Sequence, residues 1–122
     1  MKRLCDHIHE MGRYVQLHSC GHTEARVNIF VEAGIDTWQM QILNDWTKLY
    51  KEWGDKMVIQ IPADELGFSF DDDESARACA RFIVDNFCEP GKPAMVTAKI
   101  AFTNFAFNEE LYAYSRKHYL AQ

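Results

Sequence analysis

The sequence has 122 residues, 48% of them apolar, 25% charged and 13% aromatic. Those proportions exclude disorder as the main state and fit one globular domain, which at this size buries about two-thirds of its surface. With 13 Lys and Arg against 18 Asp and Glu the net charge is −5. That balance argues against nucleic acid or an anionic membrane surface as the principal partner.

No stretch approaches the ~18 uninterrupted apolar residues of a membrane span. Met1-Lys2-Arg3-Leu4-Cys5-Asp6-His7 lacks the apolar run of a signal peptide, so a cytoplasmic location is expected. Cys5, Cys20, Cys79 and Cys88 are then expected to be reduced. Their spacing matches neither a zinc finger nor a Cys-x-x-Cys redox motif.

In chain order, the spacing predicts a helix over 2–11 that closes at Glu10-Met11-Gly12. A strand over 13–18 follows, with Val15 and Leu17 on one face and Tyr14, Gln16 and His18 on the other. A helix over 23–33 closes at Glu32-Ala33-Gly34, and a strand is predicted over 36–40. Next come a helix over 44–53, with Asn44 as its N-cap and Glu52-Trp53-Gly54 at its end, and a strand over 56–61. Asp71, Asp72, Asp73 and Glu74 precede a helix over 75–87, where the helix dipole favours negative charge. The prolines of Cys88-Glu89-Pro90-Gly91-Lys92-Pro93 stop that helix near Phe87. The fourth strand, over 94–99, sets Val96, Ala98 and Ile100 against Met95, Thr97 and Lys99. A last helix runs over 108–120 behind Asn108.

The Glu-x-Gly junction thus recurs after successive helices, each Gly suiting the left-handed residue that ends a helix. Helices alternating with short strands imply a parallel sheet of βαβ units. A closed (β/α)8 barrel needs eight strands and about 250 residues. The predicted fold is therefore α/β: a (βα)4 half of such a barrel with a leading helix, as a single domain over 1–122. Sites in barrels lie at the C-terminal ends of the strands.

The sharpest local feature is Leu17-His18-Ser19-Cys20-Gly21-His22. Two residues apart on a strand, His18 and Cys20 project to the same side, and imidazole with thiolate suits zinc. His22 is the candidate third ligand. The same residues can also simply hydrogen-bond and pack at a strand end, and Cys20 lacks an evident third orienting group for work as a nucleophile. After the third strand, Asp64 is a candidate base or substrate ligand, and equally a turn cap. Trp38, Phe102, Phe105 and Phe107 line a pocket or cover a core edge. Cys5, Cys79 and Cys88 read as structural, His7 and His9 as surface residues, and His118 as solvated.

The ordered set Gly12…Leu17-His18-Ser19-Cys20-Gly21, Glu32-Ala33-Gly34-Ile35-Asp36, Trp53-Gly54-Asp55-Lys56, Gln60-x-x-x-Asp64 and Asn108-Glu109-Glu110-Leu111 resembles the C-terminal half of the uroporphyrinogen decarboxylase superfamily. This is a family of (β/α)8 barrels that includes the heme-pathway decarboxylase and the methylcobalamin:coenzyme M methyltransferases. His-x-Cys-Gly is similar to the methyltransferase branch. There the resemblance implies a zinc ion on the His, the Cys and a second Cys from the last strand. That metal keeps an acceptor thiol as a thiolate, which takes a methyl group from a corrinoid carried by a partner protein. His18 and Cys20 match. The later cysteine has no counterpart in Thr97-Ala98-Lys99-Ile100-Ala101. Gln60, Trp38 and Lys99, at or near strand ends, are the candidate substrate contacts.

A lone half-barrel would leave sheet edges and one strand face unpartnered. Pairing is therefore expected, as a homodimer or with a separate N-terminal half-barrel. Three function classes follow: a methyltransferase-like enzyme acting on a small-molecule or corrinoid-protein substrate, a metal-free decarboxylase-like chain of porphyrin biosynthesis, and a non-catalytic fragment or assembly subunit.

Overall fold

A computed structural model describes residues 1–19, 24–39 and 45–121. Its helices are α1 (Lys2–Glu10), α2 (Val27–Ala33), α3 (Trp46–Trp53), α4 (Asp73–Phe87) and α5 (Phe105–Leu120). Its strands are β1 (Gln16–His18), β2 (Thr37–Gln39), β3 (Val58–Pro62) and β4 (Ala94–Thr97). The strands form one parallel sheet in the order β1-β2-β3-β4, interleaved with the helices. This is the βα succession expected of half a (β/α)8 barrel. Among the described residues no helix is long and apolar enough to cross a membrane.

The chain divides into two compact units, Met1–Gln60 and Ile61–Gln122. In the first, α1 packs on α2, and the core holds Cys5, Val27, Phe30, Ile35, Trp38, Leu49, Tyr50 and Ile59. α2 ends on Gly34 at φ +97°, with the Ile35 N–H returning to the Phe30 carbonyl, the Schellman closure that a left-handed residue permits. Asp36 then joins three segments. Its Oδ2 accepts the Val15 N–H at 2.7 Å and lies 2.7 Å from His9 Nε2. His9, exposed as expected, also ties α1 to the start of β2.

The third Glu-x-Gly junction works differently. Gly54 is right-handed, at φ −61°. A Cβ there would sit 2.5 Å from the Tyr50 carbonyl oxygen and 3.1 Å from its ring. Close packing, not handedness, demands glycine at that position.

In the second unit α4 buries Ala76, Cys79, Ala80, Ile83, Val84 and Phe87, and packs along α5. Asp72 caps α4, accepting the Glu74 N–H at 3.2 Å, in line with the acidic run. The start of α5 departs from the expectation at Asn108. The cap is Asn104, whose side chain accepts the Phe107 N–H at 2.9 Å. Asn108 lies one turn inside and donates to the Phe102 carbonyl at 2.8 Å. The aromatic run 105–107 therefore forms the helix's first turn, with Phe107 wholly buried. For α3 the cap is Asp45, which accepts the Lys48 N–H at 3.2 Å. Asn44, the expected cap, lies outside the described residues.

Candidate functional site

Strand register defines the two faces of the first unit's sheet. Leu17, Trp38 and Ile59 form one row across β1, β2 and β3. Trp38 and Ile59 are fully buried, and Phe30 of α2 meets the Trp38 ring edge-on at 5.6 Å. This is the helix-packed face. Alternation puts the rows Gln16–Thr37–Val58 and His18–Gln39–Gln60 on the other face. The second of these rows stands toward the C-terminal strand ends.

On that face His18 is exposed, Gln39 and Thr37 are half-buried, and Gln60 is 2% exposed. Gln60 Nε2 donates to Thr37 Oγ1 at 3.1 Å. The bond uses the hydroxyl oxygen as acceptor and leaves the Thr37 O–H proton for an acceptor of its own. The expected orientation of His18 and Gln16, opposite Val15 and Leu17, is what the burial pattern of β1 displays.

Trp38, a candidate substrate contact by sequence, belongs to the core. Its indole nonetheless reaches the site indirectly: Nε1 donates to Ser19 Oγ at 2.7 Å. The Ser19 N–H donates to the Gln39 carbonyl at 3.3 Å. Two bonds therefore fix the residue between His18 and Cys20. Trp38 thereby positions the end of β1. Ser19, Thr37 and Gln39 were not singled out by sequence. Carrying the polar parity of β1 across to β2 would have found the last two.

Of the candidate zinc ligands, His18 is described, while Cys20 and His22 lie outside the described residues. Among the described residues no group of three or more His, Cys, Asp or Glu is placed to hold a metal ion.

In the second unit, Asp64 lies in a short 3-10 turn that directly follows β3. Its carboxylate accepts three successive backbone N–H groups: Lys99 at 2.6 Å, Ile100 at 3.1 Å and Ala101 at 2.8 Å. Burial works to raise its pKa, but these donors and the nearby Lys99 charge outweigh it and hold the carboxyl below its ordinary value. A carboxylate so engaged is a poor proton acceptor. The role its geometry carries is to organise the chain leaving β4. The Lys99 side chain is exposed while its backbone is held by Asp64.

The remaining cysteines have structural surroundings. Cys79 is wholly buried, with Sγ 3.9 Å from the Ala63 carbonyl. Burial, reinforced by the Asp64 charge, pushes its thiol up to about 11. Burial also raises Cys88, against a hydrogen bond from Tyr119 that lowers it. His118 is not simply solvated, because its Nε2 donates to the Cys88 carbonyl at 2.8 Å.

The chain matches no protein-family model, no curated protein and no solved structure.

Proposed function

We propose that the chain is a half-barrel member of the uroporphyrinogen decarboxylase superfamily that takes part in corrinoid-dependent methyl transfer to a thiol. His18 and Cys20 are its zinc ligands in this reading, with His22 as the third. The observation that carries it is the exposed imidazole of His18 at the C-terminal end of β1, on the polar face of the sheet.

The donor set is nitrogen and sulfur, the chemistry zinc prefers in proteins. Zinc bound there would hold an acceptor thiol as its thiolate at neutral pH. The chain's own residues supply position. Ser19, held by the Trp38 indole and the Gln39 carbonyl, fixes the chain next to His18. Gln39 and Thr37 flank the site with uncharged donors and acceptors. In this reading the missing strands come from a second copy or an N-terminal half.

Metal analysis of the purified chain tests the proposal. The expected result is near-stoichiometric zinc that is lost in both Cys20→Ala and His18→Ala. Zinc-free protein would sink it and leave the metal-free decarboxylase-like and non-catalytic readings. Decarboxylation of an acidic tetrapyrrole needs cationic contacts, and residues 16–23, 37–44 and 58–60 contain no Lys or Arg.

A further inference from the structure

The paired strand residues of the first unit are all uncharged. A quarter of the chain is Asp, Glu, Lys or Arg, yet the described residues 16–19, 37–39 and 58–60 contain none of them. These are β1 with Ser19, β2, and the part of β3 that pairs with β2. Their side chains on the polar face are Gln16, His18, Thr37, Gln39, Val58 and Gln60. None of these is a carboxylate, an ammonium or a guanidinium group.

We propose that this face binds a neutral, hydrogen-bonding small molecule, and that Gln39 and Thr37 select an amide- or hydroxyl-bearing tail over a carboxylate or sulfonate. The inference rests on the reading of the β1 end as a thiol site and names the class of thiol. Its physical basis is desolvation. An anion brought against a sheet face loses hydration that only a cation or several donors can replace. A neutral amide loses far less and exchanges its water hydrogen bonds one for one.

The geometry provides for such an exchange. Thr37 has its oxygen engaged by the buried Gln60 amide, so its O–H is set to donate to a carbonyl or hydroxyl. Gln39, beside it on β2 and in register with His18, offers an amide that both donates and accepts. Gln60 is too buried to meet a ligand and acts as a positioning residue through Thr37.

Four thiols of similar reach that differ in their tails test this on the full chain: 2-mercaptoethanol, N-acetylcysteamine, 3-mercaptopropionate and 2-mercaptoethanesulfonate. Binding is read from 1H–15N shifts of the Gln39 side-chain amide and the His18 ring, with zinc content measured on the same sample. The hydroxyl and amide thiols are expected to bind at least tenfold more tightly than the two anions. Gln39→Leu and Thr37→Val should each remove that preference while leaving the zinc content unchanged, and Thr37→Ser, which keeps the hydroxyl that holds Gln60, should retain it. Equal or tighter binding of the anionic thiols overturns the inference, as does absence of binding by all four. Zinc-free protein that still shows the neutral preference would retain this inference and defeat the methyl-transfer reading. Zinc-bound protein that prefers the anions would do the reverse.

Discussion

Two residues carry more of the architecture than their chemistry suggests. Asp64 gathers three backbone N–H groups from 35 to 37 positions further along the chain. Removing it in Asp64→Ala leaves all three without their charged acceptor. Since each hydrogen bond to a charged group is worth about 1.5–3 kcal/mol and water replaces part of the loss, a cost of about 2–3 kcal/mol is expected in urea unfolding. The pH dependence has a definite sign. The folded pKa lies below the unfolded value, so the contribution is complete above the ordinary carboxylate range. It is lost as pH falls through the folded value. The alanine variant should therefore show a shallower loss of stability below about pH 4 than the parent. Gly54→Ala makes the complementary case, because its Cβ would press on the Tyr50 carbonyl and ring. A loss of about 1–3 kcal/mol is expected, as for other overpacked positions. The sequence marked both residues, left Asp64 open between a base, a substrate ligand and a turn cap, and misread the reason for Gly54. The sequence could not choose among Asp64's roles because its backbone partners lie 35 to 37 positions away in the chain, and Gly54 looked like a left-handed cap because a close approach leaves no mark in one dimension. The orientation of His18 was legible, since strand parity is a local property.

At the scale of elements, α4 and α5 are held in contrasting ways. α4 buries six side chains along its length. α5 buries only Ala106 and Phe107, both in its first turn. Beyond that turn polar ties hold it: Arg77 and Arg81 to Glu110, Tyr114 to Asp85 at 2.9 Å, and His118 to the Cys88 carbonyl. The Arg77 and Arg81 pairs with Glu110 are only part-buried, so salt still screens them in part, and such polar ties hold a helix less firmly than apolar burial does. The amides of the second half of α5 should accordingly exchange faster than those of α4 in hydrogen-exchange measurements, and raised salt should widen the gap. Equal protection of the two helices would refute this account. Phe107 is the apolar anchor, packed against Phe70 and Phe102, and Phe107→Ala is expected to cost about 3–5 kcal/mol. Helix–strand alternation was readable from the recurring Glu-x-Gly punctuation and the prolines after Phe87. The start of α5 was not, because two asparagines four residues apart are equally good caps by type. Only the extended backbone at Asn104, φ −92° and ψ 117°, decides between them.

For the whole molecule the order of the sheet matters most. β1 and β4 are its edges, and edges with unpaired N–H and C=O groups invite further strands. Large apolar side chains also stand exposed in each unit: Leu4, Met11, Tyr14 and Ile29 in the first, and Met95, Ile100, Phe102 and Phe105 in the second. Parallel sheets occur almost only where both faces are covered, and four strands are half of what a closed barrel of this type requires. The parallel order could be inferred from the sequence, because short αβ connections permit little else. The division into two compact units could not, since its boundary falls inside β3, between Gln60 and Ile61, where the composition does not change. Pairing is the expected consequence of the open edges. Light scattering on the purified chain should give twice the 14.2 kDa of one chain at micromolar concentration, dissociating on dilution. A single 14.2 kDa species throughout that range would rule out the homodimer. Restored association on adding an N-terminal half-barrel would then assign the open edges to that partner, whereas a monomer that also ignores such a half would refute pairing altogether.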